Sequence, residues 1–356
     1  MRNLFLLDPG VVYLNHGSFG ACPRPVFEAY QRYQRELERQ PVEFLARERR
    51  LPELLEPARL RLAEYVGSAP DDLVFATNAT SALNAVIRSL ELRAGDEVLI
   101  GDAEYGALDI LWDWVARRTG ATVRRVPFAE LADPGPRTRI VFCSHVEWTS
   151  GRINDLRPVI AAARSAAALS IVDGAHAPGQ LELRLDELGA DVYAGNCHKW
   201  LCAPKGSAFL HARPEMQPQI EPLVISWDYD APFVTRHGWQ GTRDPAALLA
   251  VPAAIDFQAE HDWPAIRARC HEILAELDLG LEPLTGDFVQ MRGFRLPVVD
   301  GKAVQRQLYE QHRIEVPVIE RNGSAILRVS VQAYNDQSDL EALTAALARA
   351  VPRPPR

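Results

Sequence analysis

From about residue 72 to residue 212, short apolar runs alternate with segments whose apolar residues recur every three to four positions. DLVFA (72–76), DEVLIG (96–101), ATVRRVP (121–127), RIVFCSH (139–145), ALSIVDGAH (168–176), DVYAG (191–195) and SAFLHA (207–212) read as strands. TSALNAVIRSLEL (80–92), ALDILWDWVARR (107–118) and LRPVIAAARSAA (156–167) read as helices between them. Strands that alternate with helices predict an α/β domain with a mostly parallel sheet and helices on both faces. From about residue 255 the texture changes. A long helical run (246–276), then FVQMRGFRLP, a helix at 302–312, the strand ILRVSV (326–331) and a closing helix at 338–350 predict a smaller α+β domain. The chain thus divides into an N-terminal segment (1–30), a large domain (31–256) and a small domain (257–356).

Composition narrows the field. The 356 residues are 47% apolar and 24% charged, with a net charge of −8 and scattered basic residues, which speaks against nucleic acid or an anionic membrane as partner. Residues 35–50 mix Arg and Glu as a solvated helix face does. No apolar stretch is long enough to span a bilayer, and the first residues lack a signal-peptide pattern. The five cysteines are odd in number and dispersed, as free thiols of a cytoplasmic protein are. The only low-complexity segment is the tail PRPPR.

Candidate chemistry gathers where predicted strands end, the place where open α/β sheets collect functional residues. Asp173 closes ALSIVD; a carboxylate there either makes a turn with Gly174 or holds a cation. Lys199, in GNCHKWLCAPKG (195–206), follows the apolar DVYAG and reads either as a snorkelling surface residue or as a desolvated nucleophile. Together the two suit pyridoxal phosphate, which needs a lysine for a Schiff base and an acid to protect its ring-nitrogen proton. TNATSALN (77–84) opens a helix whose N–H groups and Thr80 hydroxyl can cradle a phosphate, or which is simply capped. Cys197, His198 and Cys202 lack a second ligand pair at zinc-finger spacing, so no metal is expected. Lys205 is the competing lysine, in a Pro-Lys-Gly turn.

YLNHGSFG (13–20), TNATSALN, VDGAHAPG (172–179), GNCHKWLCAPKGSAFL, WQGTRDP (239–245) and LRVSVQAYN (327–335) run across almost the whole chain. On these motifs the sequence resembles the fold-type-I pyridoxal-phosphate enzymes of the class V aminotransferase and cysteine desulfurase superfamily, in the isopenicillin N epimerase-like branch. The resemblance implies a seven-stranded-type sheet flanked by helices, an N-terminal segment near the active site, an amino-acid substrate and a homodimer with shared sites. It implies that Lys199 carries pyridoxal 5'-phosphate and moves the Cα proton, that Asp173 pairs with the ring nitrogen and that His176 bonds the phenolic oxygen. Ala79, Thr80, Asn196 and His198 hold the phosphate, and Thr242 reaches the phosphate of the other subunit. Tyr105, in AEYGA, stacks on the cofactor and serves in catalysis; Arg328 pairs with the substrate carboxylate, and Asn15 and His145 also face substrate. Epimerisation at Cα is the leading activity, with C–S lyase chemistry as the alternative and aminotransfer behind both. Cysteine desulfurases carry a nucleophilic Cys shortly before that arginine. Here residues 312–328 contain none, so persulfide chemistry is disfavoured.

Overall fold

In the computed structural model, residues 1–321 and 323–351 are described; the tail PRPPR lies outside them. In chain order the strands are β1 (Val12–Tyr13), β2 (Leu73–Ala76), β3 (Glu97–Gly101), β4 (Thr122–Val126), β5 (Thr138–Ser144), β6 (Leu169–Asp173), β7 (Val192–Asn196), β8 (Ala208–Ala212), β9 (Met291–Leu296), β10 (Ile314–Glu315), β11 (Val318–Arg321) and β12 (Ser324–Ser330). Two compact units result: one of Pro25–Val146 and Asn154–Asp256, the other of Met1–Arg24, Glu147–Ile153 and Phe257–Arg356.

The larger unit is built on a seven-stranded sheet in the order β2-β8-β7-β6-β5-β3-β4, in which only β8 runs against its neighbours. Strands β7 and β8 are buried end to end and β6 in all but its first residue, as a sheet covered on both faces requires. One face packs on helices Ala79–Ser89 and Gly106–Thr119, with Trp112 edge-on to Phe142 at 5.5 Å in the core. Because β2 and β8, and β8 and β7, are antiparallel pairs, β2 points the same way as β7. The carboxyl ends of β2, β3, β5, β6 and β7 therefore lie along one edge of the sheet.

The smaller unit holds the antiparallel sheet β11-β12-β9, covered by helices Gly301–His312 and Gln337–Ala350, and the short parallel pair β1-β10. The long helical run at 246–276 is not continuous. It breaks into Ala246–Leu249, Val251–Glu260 and Trp263–Ala275. Asp262 takes a left-handed conformation (φ 47°) and caps Ala265 N–H, and the ring of Pro264 fits only the first turn of a new helix.

Several histidines are folded in uncharged. Burial pushes the rings of His145, His211 and His237 down to about 4 from the usual 6.5. Between those two values the unfolded chain binds a proton that the folded chain does not. Stability is therefore complete above pH 6.5 and falls as the pH drops toward 4, by about 1.4 kcal/mol per pH unit for each ring. The expected result is a urea midpoint that declines steeply across this window, with His211→Gln flattening the slope; equal midpoints at pH 7 and pH 5 would contradict it.

Candidate active site

The shared strand edge brings several of the predicted residues together. Asp173 is the last residue of β6 and is buried, with Oδ1 accepting the Ala175 N–H at 2.9 Å. Burial raises its carboxyl above the usual range, against the Ala175 bond and the pull of Lys199. Lys199 follows β7, the strand paired with β6, and its Nζ lies 2.9 Å from His176 Nε2. The indole Nε1–H of Trp200 donates to the other nitrogen of that ring, Nδ1, at 3.2 Å. Lys205 is exposed in the turn beyond.

Next to β6, just past the end of β5, His145 gives its backbone N–H to Asp173 O, and its Nδ1 lies 2.8 Å from the hydroxyl of Tyr193. Tyr193 is fully buried and lies parallel to Phe209, and burial pushes its phenol well above the ordinary range. A side chain at Gly174 would enter the Tyr193 ring, so that glycine is what lets the ring pass behind Asp173. Nothing in the apolar run DVYAG marks Tyr193 as polar in function; the paired glycine in DGAH is its one trace.

At the end of β2, Asn78 caps helix Ala79–Ser89 by accepting Ser81 N–H, and Asn196, at the end of β7, accepts Ala79 N–H at 2.8 Å. Asn196 and Ala79 thus bond each other, and Ala82 N–H bonds Asn78 O. Of the first four N–H groups of the helix, that of Thr80 remains, beside its own half-buried hydroxyl. His198 donates Nδ1–H to Ser207 O at 2.8 Å, and burial lowers the ring to about 4. An anion next to Nε2 would raise that value and turn the ring into a donor.

Tyr105 stands at the N-cap position of helix Gly106–Thr119 after β3, with no side-chain cap hydrogen bond, and is 41% exposed. Its neighbour Glu104 is buried and accepts both Ser144 N–H (3.1 Å) and Ser144 Oγ–H (2.5 Å), tying the ends of β3 and β5 together. Thr242 is exposed on the loop before helix Ala246–Leu249.

Arg328 lies on β12 in the smaller unit and is 3% exposed. Its guanidinium donates to Trp148 O (2.7 Å), Ser18 Oγ (2.7 Å) and, more distantly, Asn15 Oδ1 (3.4 Å); its buried Nε has no partner among the described residues. Each of these acceptors is a neutral oxygen, and burial lowers the group to about 10. Asn15 also donates to Glu315 and accepts from Ser18, so one amide fixes both ends of this cluster. Ser18 and Glu104 lie inside YLNHGSFG and AEYGA but the sequence assigns them no role there, and Trp148 has no signal of its own.

These donor sets fit pyridoxal phosphate. A buried carboxylate awaits a cationic ring nitrogen, a lysine stands on the adjacent strand end, and a helix N-terminus keeps an N–H and a hydroxyl for phosphate.

Residues 12–343 match the family model described as aminotransferase class V. The isopenicillin N epimerase of Streptomyces clavuligerus is 39% identical over 386 aligned positions, covering 97% of this chain and 96% of that protein. A putative L-cysteine desulfhydrase of Oryza sativa subsp. japonica is 28% identical, covering 97% of this chain and 84% of the other. Among solved structures, a C-DES mutant with glycine covalently linked to its PLP cofactor aligns with a TM-score of 0.85 at 25% identity, over 98% of this chain and 99% of that one.

The geometry separates the two lysines of GNCHKWLCAPKG. Purified protein is expected to be yellow from a bound cofactor. Lys199→Ala should abolish the visible band, and Lys205→Ala should keep it; the reverse pattern in absorption spectra would reassign the site.

Proposed function

Since the chain belongs to the class V aminotransferase family of fold-type-I pyridoxal-phosphate enzymes, we propose that it epimerises an amino acid or amino-acid derivative at Cα. The observation that carries the amino-acid part is the buried Arg328, a guanidinium fork with only neutral acceptors. A carboxylate is the ligand such a group lacks. The extended likeness to isopenicillin N epimerase supports the reaction.

When bound, the cofactor supplies an electron sink that loosens the bonds of the substrate's Cα. The remaining work falls to the chain. Lys199 holds the cofactor and moves the Cα proton on one face. Tyr105 or His145 handles it on the other; His145 is suited as a ring kept uncharged by burial. Asp173 keeps a proton on the ring nitrogen, and His176 bonds the phenolic oxygen. Thr80, at the helix N-terminus, Asn196 and His198 hold the phosphate, and Ala79 N–H joins them only by leaving Asn196. Arg328 orients the substrate through its carboxylate, with Asn15 and Ser18 holding the guanidinium.

A second reading is β-elimination of a sulfur group, favoured by the cysteine desulfhydrase relatives. The phenol of Tyr105 would then protonate the leaving sulfur. Among the described residues, no helix is long and apolar enough to cross a membrane. A homodimer completes the proposal. Leu223, Val224, Ile225, Trp227 (65% exposed) and Tyr229 form an exposed apolar run in the larger unit, a surface that a second copy would cover, and Thr242 serves the neighbouring copy's phosphate.

Three outcomes follow. Arg328→Lys should raise KM for the amino acid at least about tenfold, the effect of losing a charge-assisted hydrogen bond of about 1.5–3 kcal/mol; an unchanged KM would remove Arg328 from substrate binding. In deuterated water the wild type should racemise a substrate with Cα–H exchange and release no pyruvate from cysteine conjugates. If pyruvate appears and Tyr105→Phe stops its release while exchange continues, the lyase reading replaces the epimerase reading. Sedimentation should give twice the chain's mass, and Trp227→Asp should yield monomers with weakened cofactor binding; a fully active wild-type monomer would defeat the shared site.

A further inference from the structure

Trp200, His176 and Lys199 stand in a row in the larger unit. Trp200 Nε1–H meets His176 Nδ1 at 3.2 Å, and His176 Nε2 meets Lys199 Nζ at 2.9 Å. The two contacts use opposite nitrogens of one imidazole, and that settles where its hydrogen sits. An indole nitrogen only donates, so Nδ1 must receive it with a lone pair. A neutral imidazole carries a single N–H, which is then on Nε2. The Nε2–H faces the side where Lys199 stands, the side on which the cofactor's lysine is held.

We propose that Trp200 is a positioning residue that fixes His176 as an Nε2–H donor toward the cofactor. This deepens the proposed function and rests on Lys199 being the cofactor's lysine. The opposite tautomer would set an imidazole N–H against the indole N–H, two donors facing each other where both rings are buried.

The surrounding backbone keeps the row in place. Gly179 has φ 90°, and a side chain there would collide with the carbonyl of Trp200, so the 179 turn and Trp200 are packed backbone to backbone. Gln180 Nε2 donates to His176 O at 2.7 Å and pins the other partner.

The test reads the ring nitrogens directly. Holoenzyme and cofactor-free full-length protein are labelled with 15N-histidine and 15N-tryptophan, and His176 is assigned from the signal lost in His176→Gln. Long-range 1H–15N spectra of the wild type should show His176 Nδ1 unprotonated and Nε2 protonated, with scalar coupling between Trp200 Nε1 and His176 Nδ1 across their hydrogen bond. Trp200→Phe, which keeps a buried ring and removes the N–H, should shift the tautomer ratio about tenfold toward Nδ1–H, the factor set by one hydrogen bond of ordinary strength. An Nδ1–H or doubly protonated His176 in the wild type, or a missing coupling, overturns the proposal even if Trp200→Phe fails to fold. A folded Trp200→Phe with an unchanged ratio overturns it as well. Retention of the cofactor's colour by Lys199→Ala would instead defeat the assignment of Lys199, leaving the tautomer result to stand by itself.

Discussion

A carboxylate at the end of a buried strand has to be answered by positive charge, and the arrangement around Asp173 follows from that requirement. One oxygen takes Ala175 N–H, which does not offset the burial that raises the group. The neighbouring strand ends are shaped to the same point. His145 binds the backbone carbonyl of Asp173, Gly174 clears the path of the Tyr193 ring, and Tyr193 returns its hydroxyl to His145. The site is preorganised by the sheet itself, because parallel strands present their last residues to a common edge.

Much of this was legible along the chain because apolar runs that stop at a polar residue mark strand ends. Asp173, Lys199 and the helix after TNATS could be placed by that rule, and the sheet class with them. What could not be read was pairing over distance. Asn196 meets Ala79 across 117 residues of sequence, and Tyr193 and Trp200 carry their polar atoms on bodies that read as core. The interruption at Asp262 was hidden for a different reason: a capping aspartate and a first-turn proline fit an amphipathic run unless a left-handed residue joins them. Nor does any local pattern reveal that Glu147–Ile153 belongs with the smaller unit; it is held there by Ile153 N–H on Asp287 O and by Gly293 N–H on Ser150 O.

Each unit, taken by itself, holds one buried charge, the Asp173 carboxylate in the larger and the Arg328 guanidinium in the smaller. On the proposed reading, a zwitterionic amino acid would bring a carboxylate to Arg328, and the cofactor's ring a cation to Asp173. On that reading, affinity for substrate and affinity for cofactor would rest on different charges on different elements. Buried charges that lack partners destabilise a protein until their ligands arrive, so binding should also stabilise the fold.

The smaller unit is stitched from three separate stretches of chain. Its strand β1 has its backbone partner in β10, where Val12 pairs with Ile314 and Tyr13 with Glu315. During synthesis β1 emerges first and waits through roughly 300 further residues, some 15–60 s at ribosomal speed, for that partner to leave the exit tunnel. The larger unit can close in the meantime, since its last strand in the sheet, β8, ends at Ala212. Assembly is thus ordered in time by the path of the chain: the sheet that carries Lys199 can form while the ribosome is still translating, and Arg328 can find Asn15 and Ser18 only after β12 has been made.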